Sequence, residues 1–294
     1  MNPEAISFVM RQTHYRGPFV PLAKGFTTDV FSSADDMIIR IPRDAESGSR
    51  LEHEVLLLKR LRPQLRTTIP GPAQWWRPKA GIASFGFMTY PRVPGRVLDR
   101  DSFSNTVSAW VSDLMTVFED LRAQQGGMGG SRPEDAGVWV QRELVRATRL
   151  ETLLAPFLTA AERRRWRQWF ATEARIYDRF PLGYVSLAHK DLWWDNMLFT
   201  DAHRLAGILD WEWAGLDDPA LDLAGLREAG PEVVDAIITA FVELYPEPLP
   251  RLRRKVDVMW ALRALQGLEW ARCQGDEPEW EEGMAKLRSG PILS

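Results

Sequence analysis

The run His189-Lys190-Asp191-Leu192-Trp193-Trp194-Asp195-Asn196, followed by Ile208-Leu209-Asp210-Trp211-Glu212, places two carboxylates and an amide on loops beside short apolar runs. Asp210 lies 14 residues beyond Asn196. A carboxylate such as Asp191 can orient a hydroxyl and accept its proton. A second carboxylate, Asp210, together with the amide oxygen of Asn196, offers hard ligands suited to Mg2+. The two acids would repel each other in an empty site, and a dication removes that conflict. Transfer of a phosphoryl group needs this set: an acceptor hydroxyl held in line, and neutralised charge on the phosphates. The bland reading is an N-capping Asp and a satisfied core His. The match of the whole set to H-x-D-L-x-x-x-N, with apolar strand patterns on both sides, outweighs it. Asp195 reads as a solvated loop residue.

The elements around this set follow from periodicity. Residues 4–15 read as a short helix. Phe19–Leu22, Asp29–Phe31 and Met37–Ile41 are β-rich runs with polar breaks, the pattern of antiparallel hairpins. Leu51, Val55, Leu58 and Leu61 recur with helical period, so a helix is expected over 49–61. Strand-like runs return at 74–77 and 84–90. Pro91-Arg92-Val93-Pro94-Gly95 then breaks the pattern and reads as a hinge. Beyond it, amphipathic helices are expected near 103–124, 136–156 and 160–180, with a flexible loop over 126–133. Short strands at 184–187, 197–199 and 205–209 interrupt the helices, and helix dominates after Pro219. The layout is α+β: an N-terminal lobe over 1–90, a hinge over 91–95 and a catalytic and acceptor-binding lobe over 96–294. Ligand sites favour domain junctions.

Composition excludes other classes. The chain has 294 residues, 45% hydrophobic and 26% charged, with net charge −3. These are globular values, and no basic nucleic-acid footprint is visible. One cysteine, Cys273, excludes an internal disulfide framework and a Cys-rich zinc site, and fits a reducing compartment. No run approaches the roughly 18 apolar residues of a membrane span, and no signal peptide is evident. The expectation is a cytoplasmic protein without membrane or nucleic-acid partners. No G-x-x-x-x-G-K-[ST] occurs, which disfavours a P-loop NTPase.

The segment from Leu187 to Leu226 closely resembles the aminoglycoside phosphotransferase family of small-molecule kinases. The resemblance rests on His189-Lys190-Asp191, on Leu209-Asp210-Trp211, and on Leu216-Asp217-Asp218-Pro219 with Asp222-Leu223-Ala224. It implies a bilobal protein-kinase-like fold: an N-terminal antiparallel sheet lobe with one main helix, and a larger, mainly helical C-terminal lobe. It implies Asp191 as the catalytic base, His189 as support of its loop, and Asn196 and Asp210 as metal ligands. Ile38-Ile39-Arg40-Ile41-Pro42-Arg43 resembles the strand whose basic residue contacts the α/β-phosphates, with Arg40 where Lys is usual. Glu54 aligns with the helix glutamate that pairs with that residue. Ala23-Lys24-Gly25-Phe26-Thr27-Thr28-Asp29 stands at the nucleotide flap, where Thr27 and Thr28 offer hydroxyls to phosphates. Tyr90 and Val93 are the implied backbone contacts to a purine. Lys190, where the family has Gly or Asn, is a departure and reads as a solvated side chain.

The implied activity is Mg2+-dependent transfer of the γ-phosphoryl group of ATP or GTP to a hydroxyl of a small molecule, foremost an antibiotic (aminoglycoside, macrolide or cyclic peptide). Kinases of homoserine, choline or a sugar would use the same core. A pseudokinase would keep the fold without turnover. A protein kinase is disfavoured, because Trp211-Glu212 follows Asp210 and no A-P-E comes after. Acids over 276–282 would attract a cationic acceptor, but read first as a helix start. Of Trp193, Trp194, Trp211 and Trp213, most are expected in the core.

Overall fold

A computed structural model describes residues 3–24, 27–79, 83–124, 136–173 and 185–293. The chain forms two compact units: Met1–Leu121 with Trp194–Ala214, and Arg122–Trp193 with Gly215–Ser294.

The first unit opens with α1 (Pro3–Thr13), followed by β1 (Val20–Lys24), β2 (Thr28–Ser32) and β3 (Met37–Pro42). Next come α2 (Ala45–Leu61), β4 (Gln74–Trp76) and β5 (Phe87–Pro91). The strands form an antiparallel five-stranded sheet in the order β1-β2-β3-β5-β4. Alternation along β3 decides what each face carries. Ile39 joins Phe8 and Val9 of α1, Phe31 and Phe87 in one apolar cluster, with Ile41 packed against it. Ile38 and Arg40 therefore point to the other face, where α2 lies. Leu51, Val55, Leu58 and Leu61 are all buried there. The helix begins four residues before the expected start, because Asp44 accepts a hydrogen bond from Ser47 N (2.7 Å) and caps it. Strand β5 starts later than expected. Gly86 holds φ 78° in the turn before it, and an added Cβ would lie 2.5 Å from the Trp75 ring.

Two further helices belong to this unit, α3 (Arg100–Asn105) and α4 (beginning at Val107 and running to Ala123), where one helix over 103–124 was expected. Thr106 ends the first: its N–H and its hydroxyl both donate to Ser102 O, at 3.1 and 2.7 Å. The hairpin of β7 and β8 completes the unit. Strand β6 (Ser186–Ala188) precedes them in sequence, then β7 (Met197–Phe199) pairs with β8 (Leu205–Ile208). Arg96 and Phe199 exchange backbone hydrogen bonds (3.0 and 2.8 Å), and Ile208 N donates to Thr68 O (3.0 Å). Phe199 packs edge-on to Phe103, and Asp113 of α4 accepts from Arg204 Nε at 2.7 Å.

The second unit contains α5 (Ala136–Leu154) and α6 (Ala160–Thr172). Strand β6 pairs antiparallel with β9 (Gly215–Asp217). Then come α7 (Ala220–Leu226), α8 (Pro231–Leu244), α9 (Leu249–Gln274) and α10 (Glu277–Ser289). Lys255 of α9 is buried and paired with Asp218 (2.5 Å) and Glu247 (2.9 Å), and Arg251 Nε, 2.7 Å from Glu247 Oε1, supplies the second cation for the two acids. Cys273 is exposed near the end of α9. The loop expected over 126–133, the end of the helix expected over 160–180, and Tyr184, Gly25 and Phe26 lie outside the described residues. No described helix is long and apolar enough to cross a membrane.

Candidate active site

In the first unit a buried arginine organises three acids. Arg40 lies on the α2 face of β3, and α2 brings Glu54, fully buried, opposite it. Arg40 Nη1 donates to both Glu54 oxygens, at 3.2 and 2.9 Å. Arg40 Nη2 donates to Asp210 Oδ1 at 2.9 Å and lies 3.5 Å from Glu212 Oε2. Glu54 Oε1 also accepts from Trp211 N at 3.0 Å, which ties the segment after β8 to α2. Burial pushes the Glu54 carboxyl up to about 7, against the lowering pull of Arg40. Burial, with Asp210 nearby, also raises Glu212. Burial alone would lower Arg40, but Asp210 and Glu54 more than reverse this and hold it charged. Asp210 has φ 60°, a left-handed backbone that aims its side chain at this cluster. Leu209 N donates to Asn196 O at 2.8 Å, so the end of β8 is tied to the short 3-10 turn Trp194–Asn196.

This set suits a divalent cation. Ligand oxygens of Glu54, Asp210 and Glu212 lie within 4.8 Å of one another. Glu212 Oε2 is buried without a hydrogen-bond partner. Three carboxylates face two guanidinium groups, those of Arg40 and Arg50, with Arg50 Nε 3.9 Å from Glu212 Oε1. A cation would balance the remaining negative charge. Glu212 is the acid that sequence reasoning left unassigned. Its signal was its place two residues after Asp210, but only burial shows that it belongs to the cluster.

Thr27 Oγ1 donates to Glu212 Oε1 at 3.2 Å. Thr28, buried, pairs across the sheet with Pro42, on the face that carries Arg40. Tyr90 lies buried in β5, and burial raises its phenol. Val93 is buried after β5, so close to Gly207 that an added Cβ there would meet Val93 Cγ1 at 2.6 Å. Trp211 is fully buried. Trp213 is half exposed, with the Arg50 guanidinium 4.7 Å above its ring.

In the second unit, Asp222 of α7 shapes the loop that carries Asp191. Asp222 is fully buried and accepts from His189 N (3.0 Å) and Lys190 N (2.7 Å). Burial raises its pKa, while His189 and these two N–H groups pull it down. His189 is buried, and its Nδ1 accepts from Asp191 N at 3.3 Å. Lys190 has φ 67°. Glycine and asparagine tolerate that region best, which accounts for the residue types the resembled family carries there. The Lys190 side chain is not simply solvated: its Nζ lies 3.4 Å from Asp217 Oδ2. Asp191 Oδ1 accepts from Arg263 Nη2 at 2.7 Å. Arg263 belongs to no motif, and the sequence offered no signal for it. Asp276 accepts from Glu279 N (3.2 Å) as the N-cap of α10, so the acid run over 276–282 is a helix start.

An antiparallel five-stranded sheet with its helix, followed by a mainly helical C-terminal part, defines the protein-kinase-like fold. The GDP and kanamycin complex of APH(2")-IIia shares it, with a TM-score of 0.79, 20% identity and coverage of 96% of each chain. Macrolide 2'-phosphotransferase type I shares it with a TM-score of 0.68, 19% identity and coverage of 96% of each chain. Viomycin phosphotransferase of Streptomyces vinaceus is 25% identical over 210 residues, 69% of this chain and 69% of that protein. The model of the phosphotransferase enzyme family matches residues 18–255, and the chain belongs to that family.

Proposed function

We propose that this phosphotransferase moves the γ-phosphoryl group of ATP or GTP to a hydroxyl of a small molecule, and that the acceptor is an antibiotic. The observation that carries this reading is the Arg40 cluster: a buried guanidinium held by Glu54 and Asp210, beside an acid, Glu212, with a buried oxygen that accepts no hydrogen bond. Asp191 takes the acceptor's hydroxyl proton as the new oxygen–phosphorus bond forms and the bond to the nucleoside diphosphate breaks. His189 holds the loop. Arg40, kept in place by Glu54, binds phosphate oxygens, and Thr27 and Thr28 offer hydroxyls to them. Backbone groups of Tyr90 and Val93 meet the purine. Asp210 and Asn196, with Glu212, hold Mg2+. When bound, that ion neutralises charge on the phosphates. The antibiotic class is supported by the viomycin phosphotransferase relative and by the fold shared with aminoglycoside and macrolide phosphotransferases.

The test is growth of a susceptible bacterium expressing wild type or Asp191→Ala on viomycin, kanamycin and a macrolide. Extracts are assayed in parallel for phosphorylated drug. Protection by the wild type alone is expected. Asp191→Ala loses at least about 100-fold in kcat from missing general-base help, and Asp210→Ala loses Mg2+-dependent turnover. No protection on any drug, with both proteins folded, would overturn the antibiotic assignment in favour of a metabolite hydroxyl such as that of homoserine, choline or a sugar. Turnover surviving Asp210→Ala would overturn the metal assignment.

A further inference from the structure

We propose that Arg263 of α9 is a positioning residue for Asp191, clamping both its carboxylate and the strained peptide before it. The inference rests on the reading of Asp191 as the base. One guanidinium makes two contacts: Nη2 to Asp191 Oδ1 at 2.7 Å and Nη1 to Lys190 O at 3.1 Å. The planar fork of arginine holds two acceptors at a fixed separation, which a lysine ammonium cannot do. The two contacts address two different freedoms. The bond to Oδ1 fixes the rotation of the carboxylate, which is otherwise broad about a terminal sp3–sp2 torsion. The bond to Lys190 O fixes a residue at φ 67°, a conformation a lysine adopts only when its surroundings impose it.

Lys190 is thus pinned from both sides of its backbone. Its N–H donates to Asp222 on α7, and its carbonyl accepts from Arg263 on α9. Two helices hold one residue, and Asp191 follows it directly. The Arg263 and Asp191 side chains are 30% and 27% exposed, so the pair lies at a solvent-accessible face and is not a sealed core ion pair. Surface ion pairs of this exposure add little stability. Its value lies in geometry, since a base misplaced by about 1 Å costs on the order of 100-fold in rate. A guanidinium offers donors and no acceptor, so Arg263 takes no proton in the reaction.

The test compares wild type, Arg263→Met and Arg263→Lys in two assays. The first is steady-state phosphoryl release from Mg–GTP and Mg–ATP, without acceptor and with viomycin or kanamycin. Arg263→Met is expected to lower kcat by about 10-fold to 100-fold, with the nucleotide KM within about twofold of wild type. Arg263→Lys, which can reach one acceptor but not bridge both, is expected to recover part of that loss. The second is hydrogen–deuterium exchange of a peptide spanning 187–193, with one spanning 37–42 as the internal reference. Faster exchange in 187–193 alone is expected for Arg263→Met. Wild-type kcat together with unchanged exchange would overturn the proposal. So would a parallel fall in kcat and melting temperature that Arg263→Lys does not relieve. If the wild type turns over neither nucleotide, the choice of acceptor fails, and the exchange assay alone decides whether Arg263 clamps the loop.

Discussion

Lys190 shows how one residue records a compromise. Its left-handed backbone is a cost of roughly 1–2 kcal/mol that glycine does not bear, and its side chain returns only a partly exposed contact with Asp217. Lys190→Gly is therefore expected to raise stability by about 1 kcal/mol, read by urea denaturation. A second expectation concerns Glu54. Because burial raises its folded pKa to about 7, the folded chain keeps this proton to higher pH than the unfolded chain does. The stability tied to that proton is complete below the ordinary glutamate range and is lost as pH climbs toward about 7. In metal-free protein the slope reaches at most about 1.4 kcal/mol per pH unit over that window. Glu54→Gln cannot titrate, so its denaturation free energy should vary less with pH there. Because Gln mimics the protonated carboxyl, its stability relative to wild type should rise as pH climbs toward about 7. A Glu54→Gln curve parallel to wild type would contradict this. At this scale, residues inside a motif were legible and residues outside one were not. His189, Asp191, Asn196 and Asp210 stand out by type and spacing. Glu212 needed its burial to be noticed, and Arg263, on a long amphipathic helix, reads as one more surface cation.

Elements were legible where a period ran long enough and less so at their ends. The leucine spacing over 51–61 marked α2, and the β-rich runs marked the sheet, because one buried face imposes each period. Helix starts depend on single caps, and Asp44 moved one of them by four residues. The break at Thr106 rests on a hydroxyl that bonds to Ser102 O, which no hydrophobic period registers. Close approach between elements is equally invisible to a period. Gly225 of α7 shows this: an added Cβ would lie 2.0 Å from Leu192 O, against the backbone of the Asp191 loop. Gly225→Ala must push α7 or the loop aside. A loss of about 1–3 kcal/mol or more is expected, together with faster hydrogen exchange over 187–193. An alanine variant with wild-type stability and exchange would show that the loop yields freely.

At the scale of the molecule, the fold class followed from the order of elements, the five-stranded sheet before Pro94 and mainly helices after it. The grouping of residues into compact units was not legible. The β7–β8 hairpin joins the unit of the N-terminal sheet through Arg96, Thr68 and Asp113, contacts that bridge on the order of 100 residues of sequence. Ligand linkage offers a test of the whole protein. At a concentration about 100 times its Kd, Mg–GDP should stabilise the chain by about 2.7 kcal/mol. Differential scanning fluorimetry would read this as a rise in melting temperature. EDTA should reduce the rise, and in Asp210→Asn it should no longer do so. Equal shifts with and without EDTA in the wild type would argue against a metal held by this cluster.

Cys273 is the single thiol of the chain, exposed on α9 ten residues past Arg263, or about 15 Å along a helix axis. One thiol means one attachment point. A maleimide fluorophore would couple at unit stoichiometry, with no background cysteine to remove by mutation. The native protein thus carries its own handle for following, molecule by molecule, whether the helix that carries Arg263 moves when a ligand arrives.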